Sequence, residues 1–179
     1  MTSELDVLRI VSERLGASGL AFMLTGSFAL AYYATPRMTR DIDLVVALED
    51  RDIAPLVAAF TADFYIDADA ARDAVRTERL FNLMHLESGI KVDLIVRKGT
   101  EYRQVEFARR QPVRLAGVAT WIVSREDLIL SKLVWAGDSG SELQLRDVAQ
   151  LLGESVDFDY VRRWAPTLGV AELLEQVVK

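Results

Sequence analysis

The spacing of apolar residues along the chain predicts short strands interspersed with amphipathic helices. Alternating apolar and polar residues are typical of half-buried strands, whereas apolar residues three and four apart are typical of helices. Strands are expected at 20–24, 42–47, 80–86, 90–96, 113–115 and 118–122. Helices are expected at 3–15, 27–33, 49–60, 68–77, 128–136, 142–152, 159–168 and 170–178.

This order of elements predicts an α+β fold, with a small mixed or antiparallel sheet flanked by helices and a helical C-terminal third. The clearest local signal is a hairpin in which two alternating runs surround Glu87-Ser88-Gly89. The character of the chain changes near residues 122–124. We therefore expect a sheet-containing core at 1–123 and a helical region at 124–179 that packs on it.

Composition limits the classes of protein that fit. The 179 residues are 51% apolar and 27% charged, which are values of a globular protein with a real core. No run approaches the roughly 20 apolar residues of a membrane span, and the first residues lack the pattern of a signal peptide. We expect a cytoplasmic protein without membrane contact. The absence of cysteine excludes disulfides, thiolate metal sites and cysteine nucleophiles.

Charge is unevenly distributed along the chain. The net charge of −6 argues weakly against a protein coated in nucleic acid. One stretch, residues 97–125, is nevertheless strongly basic, and we call it the basic segment. Its charged residues are Arg97, Lys98, Arg103, Arg109, Arg110, Arg114 and Arg125, against Glu101 and Glu106. Two interpretations stand: a strip that faces phosphates, or a solvated helix and hairpin whose arginines pair with the acid-rich stretch at residues 41–78.

The stretch from Leu24 to Val46 carries the strongest chemical signal. Gly26-Ser27 follows a short apolar run and opens a predicted helix. The unpaired N–H groups and positive dipole end of a helix at such a junction suit a phosphate.

The strand that follows carries Asp41 and Asp43, and alternation places both on one face. Two carboxylates about 4 Å apart repel by about 1 kcal/mol in water and about 4 kcal/mol at an effective dielectric near 20, so the pair favours a cation such as Mg²⁺. The same spacing recurs at Asp50 and Asp52, at Asp67 and Asp69, and at Asp157 and Asp159. Those three pairs lie among polar or helix-forming residues, so we interpret them as caps and turns.

Two further charges lie in apolar surroundings. Asp93 is in the middle of a β-branched run, where a carboxylate needs a partner, an exposed edge or a metal. If its strand lies beside that of Asp41 and Asp43, the three acids converge. His85, the only histidine, lies in the facing strand, and we expect a structural role for it.

Lys132 lies in an apolar helix and needs solvent or an anionic partner. That partner is either a phosphate or an acid such as Asp147, in which case the pair joins two helices. Arg37 and Arg146 are further phosphate candidates, whereas Arg40 is expected on the opposite strand face from Asp41.

Gly-Ser, then Asp-x-Asp in an apolar strand, then a third Asp in a later strand, resembles the nucleotidyltransferase superfamily that includes DNA polymerase beta. The lysine-bearing helix and Arg146-Asp147 make the chain similar to AbiEii-type nucleotidyltransferases, several of which are toxins of bacterial toxin–antitoxin systems. The resemblance covers about residues 20–152.

The resemblance implies a role for each residue of the pattern. Gly26 and Ser27 would hold the triphosphate, and Asp41 and Asp43 would bind Mg²⁺ or Mn²⁺. Asp93 matches the third metal-binding acid, which also serves as the base for the attacking hydroxyl. Lys132 matches a lysine that contacts phosphate. Asp147 matches a downstream functional acid.

The resemblance also implies transfer of a nucleoside monophosphate from a nucleoside triphosphate to a hydroxyl, with release of pyrophosphate. Three acceptor classes remain: an RNA end such as that of tRNA, a protein side chain, or a small molecule such as an aminoglycoside. A cognate toxin or antitoxin would be a partner. The alternative is a non-catalytic nucleotide-binding, nucleic-acid-binding or interaction module on the same fold.

Overall fold

A computed structural model describes residues 2–35 and 41–179, so the expectations for Arg37 and Arg40 lie outside the described residues. The described chain forms seven strands: β1 Phe22–Leu24, β2 Ile42–Val46, β3 Phe64–Ile66, β4 Leu80–His85, β5 Lys91–Val96, β6 Gln111–Leu115 and β7 Val118–Ile122. Its helices are α1 Glu4–Ala17, α2 Gly26–Tyr33, α3 Asp50–Phe60, α4 Ala68–Thr77, α5 Glu101–Ala108, α6 Arg125–Ser139, α7 Glu142–Leu151, α8 Phe158–Trp164 and α9 Ala171–Val178.

The strands form one mixed sheet in the order β3-β4-β5-β2-β1-β7-β6. Strand β2 runs parallel to β5, and β1 runs parallel to β7. The remaining neighbours are antiparallel, including the predicted β4–β5 hairpin. The predicted α+β class and mixed sheet flanked by helices are therefore confirmed.

Alternation along the central strands separates a core face from a second face. Ile42, Leu44 and Val46 of β2 are buried, as are the even-numbered apolar residues of β5. Residues between them, such as Asp43 and Asp93, are only partly buried and lie on the opposite face. We call this second face the site face. Burial of the apolar rows fixes the register, because a slip of one residue would move the carboxylates into the core.

Two elements carry no clear sequence signal. Strand β3 is too short to show alternation, and its central residue Tyr65 is 60% exposed. Helix α5 buries the charged residue Glu106 on its inner face, so its apolar periodicity is interrupted. In the described part of the chain, every helix is too short or too polar to span a bilayer.

The expectation that the other aspartates cap helices is confirmed at two positions. The Asp67 side chain accepts hydrogen bonds from the first-turn amides of α4, and that of Asp157 accepts one from Tyr160 in α8. Asp52 completes a capping box with Glu49 at the start of α3. These carboxylates therefore have local structural roles.

Candidate active site

Asp43 and Asp93 lie directly opposite each other in the parallel β2–β5 pair. Both side chains project onto the site face, since Ile42 and Val92 form the buried pair one residue earlier. Asp41 immediately precedes β2, and its side chain is 58% exposed. The adjacency that would bring the acids together is therefore present.

Asp93 is held on both of its carboxylate oxygens. The amide of Asn82, its partner in β4, donates to Oδ1 across 2.9 Å. The Lys91 ammonium lies 3.1 Å from Oδ2, and it is also 3.8 Å from Oδ1 of Asp41. The ammonium of Lys91 therefore lies between the carboxylates of Asp93 and Asp41.

The environment of Asp43 favours its protonated form. Burial raises the pKa of Asp43 to about 6, and the nearby charges of Asp93 and Asp41 add to the rise. Lys91 and Lys132 oppose the shift. When burial and like charges raise the pKa of a carboxyl group, a cation bound beside it stabilises the ionised form, so such a site favours a further cation.

The first turn of α2 lies against Asp43. Gly26 has φ +62°, and a methyl group built on its Cα would lie 2.0 Å from Oδ2 of Asp43. The Thr25 amide donates to the backbone oxygen of Asp43 across 2.9 Å, which anchors the junction to β2. Among the described residues, no side chain caps this helix start. Its amides and dipole therefore remain suited to a ligand phosphate beside the carboxylates.

Lys132 and Asp147 form a buried ion pair between α6 and α7. The Lys132 ammonium lies 2.7 Å from Oδ2 of Asp147 and donates to Oε1 of Gln144 across 3.0 Å. Both charged residues are almost fully buried, at 3% and 1% exposure. The helix–helix pair expected as one interpretation is present. Lys132 also acts on Asp43 electrostatically, so its ammonium is close enough to the acids to favour the ionised carboxylate.

These groups surround one cavity of about 410 Å³, which we call the acidic cavity. Its lining residues are Gly26, Ser27, Asp41, Asp43, Leu80, Lys91, Asp93, Lys132, Trp135 and Gln144. The residues to which the resemblance assigns a role all line it except Asp147, and the phosphate candidate Arg146 does not line it either. Asp147 does not line the cavity, but its carboxylate lies 2.7 Å from the ammonium of Lys132, which does.

The donor set suits a divalent ion that is completed by a ligand. In the described residues, no group of three or more acidic or histidine side chains forms a ready metal site. Asp43 and Asp93 nevertheless face each other, and repulsion between them favours a cation. Mg²⁺ commonly binds through one or two carboxylates together with substrate phosphates. The residues therefore fit Mg²⁺ or Mn²⁺ bound jointly with a triphosphate.

Two arginines of the basic segment, Arg103 and Arg109, pair with acids. Nε of Arg109 donates to buried Asp127 across 3.0 Å, and its guanidinium lies over the Tyr160 ring. Arg103 pairs with Glu106 at 2.8 Å. The exposed Arg146 lies 3.6 Å from Glu142. The first two pairs favour structural pairing over a phosphate strip, but their acids, Glu106 and Asp127, lie outside the acid-rich stretch at 41–78.

His85 is a structural residue, as expected. It is buried against Phe64, and its Nδ1 lies 2.9 Å from the hydroxyl of Ser88 in the β4–β5 turn.

Sequence reasoning missed Lys91 and Gln144. The signal for Lys91 was available, because a residue two positions before Asp93 in a strand shares its face. Similarly, Gln144 precedes Asp147 by three residues and lies on the same side of α7. Neither residue stands out in its own segment, so only its spacing from Asp93 or Asp147 identifies it.

Comparison with known proteins places the fold in one class. No family model and no curated protein matches the sequence. Among solved structures, ANT(2″)-Ia in complex with adenylyl-2″-tobramycin matches with a TM-score of 0.59 and 14% identity, covering 91% of this chain and 94% of that one. A lincomycin-bound lincosamide antibiotic adenylyltransferase, LnuA, matches with a TM-score of 0.54 and 12% identity, over 80% and 93%.

An antigenic nucleotidyltransferase-like protein from Paracoccidioides brasiliensis matches with a TM-score of 0.56 and 16% identity, covering 94% and 91% of the two chains. The chain thus has the fold of nucleotidyltransferase-like proteins, as the sequence resemblance predicted. The finer likeness to AbiEii-type proteins stays a prediction.

Proposed function

We propose that this protein transfers a nucleoside monophosphate from a nucleoside triphosphate to a hydroxyl acceptor. The observation that carries the proposal is the register of Asp43 opposite Asp93, with the first turn of α2 packed against Asp43. Carboxylates for a divalent ion and amides for a phosphate are thereby brought to one cavity. Nucleotidyl transfer depends on this combination of positioning and charge neutralisation.

In this reaction the acceptor oxygen forms a bond to the α-phosphorus, and the bond from that phosphorus to the bridging oxygen breaks. The bonding pair leaves with pyrophosphate, and Asp93 takes the proton of the hydroxyl. Asn82 and Lys91 fix the orientation of Asp93 through its two oxygens. Gly26 and Ser27 bind the triphosphate through the start of α2.

Asp41, Asp43 and Asp93 would hold Mg²⁺ or Mn²⁺ together with the triphosphate. The bound ions would neutralise charge on the attacking and leaving oxygens. Lys132 adds a positive charge at the cavity edge, and Asp147 fixes the position of that lysine.

The acceptor is a small molecule, an RNA end or a protein side chain. The names of two similar structures refer to antibiotics, tobramycin and lincosamides, which supports a small-molecule hydroxyl. Because Arg103 and Arg109 are engaged in ion pairs, support for RNA from the basic segment is weaker. If the acceptor is a protein side chain, the acceptor protein would be the partner in a toxin–antitoxin pair.

The proposal is tested by incubating the protein with each α-labelled triphosphate, Mg²⁺ or Mn²⁺, and one acceptor class at a time: total RNA, a cell protein extract, or aminoglycosides and lincosamides. We expect label on one acceptor class, and no label with Asp43→Asn. Asp50→Asn, an exposed aspartate of the same spacing, is the matched control and should retain transfer. Transfer by the Asp43→Asn protein would refute the assigned site. Absence of transfer and of triphosphate binding would favour a non-catalytic module.

A further inference from the structure

A second cavity of about 430 Å³ adjoins the acidic cavity, and we call it the side cavity. The two cavities share four lining residues, Gly26, Asp43, Lys132 and Trp135. Asp41, Asp93 and Ser27 line the acidic cavity but not the side cavity. A ligand that reaches both cavities must therefore pass Asp43 and the first turn of α2.

The side cavity has mainly apolar walls. Val45 and Ile95 are partners in the β2–β5 register and form its wall on the site face. Leu128 and Val134 of α6 also line it. Trp135 is 54% exposed and lies at the junction with the acidic cavity. Walls of this kind suit a flat heterocycle, because they bury its faces without demanding hydrogen bonds.

A buried polar cluster faces this apolar space. Nη1 of Arg103 donates to both carboxylate oxygens of Glu106 at 2.8 Å and to the hydroxyl of Ser131 at 2.7 Å. Ser131 in turn donates to Glu106 across 2.6 Å. Glu106 is only 3% exposed, although it lines the cavity. The cluster offers donors and acceptors side by side, which is what the edge of a nucleobase requires.

The chemical groups that line each cavity indicate which part of the reactants it binds. The amides of α2 and the three acids meet at the acidic cavity, so the phosphates and the acceptor hydroxyl must lie there. The side cavity touches Asp43 but not Asp93, the proposed base, so an acceptor seated there would have to extend into the acidic cavity to bring its hydroxyl to that residue. The nucleoside, joined to the α-phosphate, is the remaining part of the reactants.

Building on the proposed function, we propose that the side cavity binds the nucleoside of the donor triphosphate. The base lies between the β2–β5 wall and α6, and its edge contacts the cluster of Arg103, Glu106 and Ser131. The identity of the base that the enzyme prefers is then set by this cluster.

The test separates nucleoside binding from phosphate binding. Calorimetry with Mg²⁺ measures the affinity of the full chain for each of the four nucleoside triphosphates and for inorganic tripolyphosphate, which lacks a nucleoside. Val45→Phe fills the side cavity from the sheet wall. We expect it to weaken binding of the preferred triphosphate at least tenfold and to change tripolyphosphate affinity less than twofold. Val113→Phe, the same substitution in edge strand β6, should change neither affinity.

A second variant covers the case in which Val45→Phe fails to fold. Glu106→Gln keeps the shape of the side chain and exchanges an acceptor for a donor. We expect it to change the order of affinities among the four triphosphates, with tripolyphosphate binding unchanged. If Val45→Phe binds triphosphates normally but loses transfer to the acceptor, the side cavity holds the acceptor and the inference is wrong.

Failure of the inference is distinguishable from failure of the proposed function. A wild-type protein that binds tripolyphosphate as tightly as any nucleoside triphosphate would overturn the nucleoside site alone. A wild-type protein that binds neither ligand with Mg²⁺ would instead refute the nucleotidyltransferase proposal, and the nucleoside site with it.

Discussion

Lys91 and Asp93 form an ion pair on the site face, with 3.1 Å between Nζ and Oδ2. They are two residues apart in β5, so both project toward Asp41 and Asp43. The ammonium is also 3.8 Å from Asp41. Lys91 therefore neutralises part of the acidic cluster, and a divalent ion entering the cluster encounters a positive charge already present there.

Replacing Lys91 should separate its stabilisation of the acidic cluster from its competition with a divalent ion. We expect Lys91→Met to lower the free energy of unfolding of the metal-free protein by about 0.2–1 kcal/mol, the range of an exposed ion pair. Because a competing charge is removed, the variant should bind Mn²⁺ several times more tightly. Calorimetry and thermal melts with and without Mn²⁺ measure both. Lys179→Met changes the net charge equally at the last residue and should have neither effect. Unchanged Mn²⁺ affinity in Lys91→Met would contradict the competition.

The buried pair of Lys132 and Asp147 supports a prediction about stability and a separate one about activity. Removing one partner of a buried pair costs about 3–5 kcal/mol, because the remaining charge stays buried. We expect losses of this size for Lys132→Met and for Asp147→Leu in denaturant melts. The double variant should recover much of the loss, since an apolar pair replaces the ions.

Activity of the double variant distinguishes the two interpretations of Lys132. Lys132 lines both cavities and opposes the rise in the pKa of Asp43. We therefore expect nucleotidyl transfer to stay lost even where stability returns. Recovery of transfer together with stability would mean that the pair is only a connection between α6 and α7.

The raised pKa of Asp43 predicts how stability depends on pH. Its folded-state pKa of about 6 lies above the ordinary value of 3.8, so the fold binds the proton more tightly than the unfolded chain does. The resulting stabilisation is complete below about pH 4 and is lost as pH rises through about 6. Asp43→Asn should therefore be more stable than the wild type by about 1–3 kcal/mol at neutral pH and similar to it at low pH.

Chemical denaturation from pH 4 to 8 without metal measures this difference. Asp50→Asn, at an exposed position, should follow the wild type across the range. Saturating Mg²⁺ favours the ionised carboxylate, so it should reduce the advantage of Asp43→Asn at neutral pH. An Asp43→Asn protein that is less stable than the wild type at neutral pH would contradict the burial argument.

The sequence predicted the elements around the acids well, because each has its own local signal. The apolar row of Ile42, Leu44 and Val46 defines strand and face at once, and the position of Asp43 follows from it. The pairing of β2 with β5 had no such signal. It joins strands separated by two helices and two further strands, and only packing of the whole sheet decides it.

The side cavity could not be predicted from the sequence for a related reason. Its polar cluster joins Arg103 and Glu106 of α5 to Ser131 of α6, and none of the three residues is unusual in its own segment. A buried carboxylate is recognisable only once its partner is known. Helix α5 was expected only as a helix without bounds inside the basic segment, because that carboxylate interrupts its apolar pattern.

Arg109 offers a test of the basic segment. We expect Arg109→Met to destabilise the fold by about 1–3 kcal/mol, less than for a fully buried pair, because the arginine is partly exposed while Asp127 is not. Arg114→Met, at an exposed position of β6, should leave melting unchanged. If RNA is the acceptor, Arg114→Glu should weaken RNA binding and reduce its salt dependence without loss of stability. Unaltered melting of Arg109→Met would show that the pair contributes nothing to stability.

Gly26 is the position where the phosphate site and the acids constrain each other. A side chain there meets two separate obstacles: a left-handed backbone with φ +62°, and a carboxylate oxygen 2.0 Å from the new carbon. Gly19 has φ +68° and open space around it, so Gly19→Ala carries the backbone cost of about 1–2 kcal/mol without the clash. We expect Gly26→Ala to lose more stability than Gly19→Ala and, in addition, to lose nucleotidyl transfer, because Asp43 must move away from α2. Equal losses of stability and full transfer in Gly26→Ala would mean that Asp43 does not need its present position.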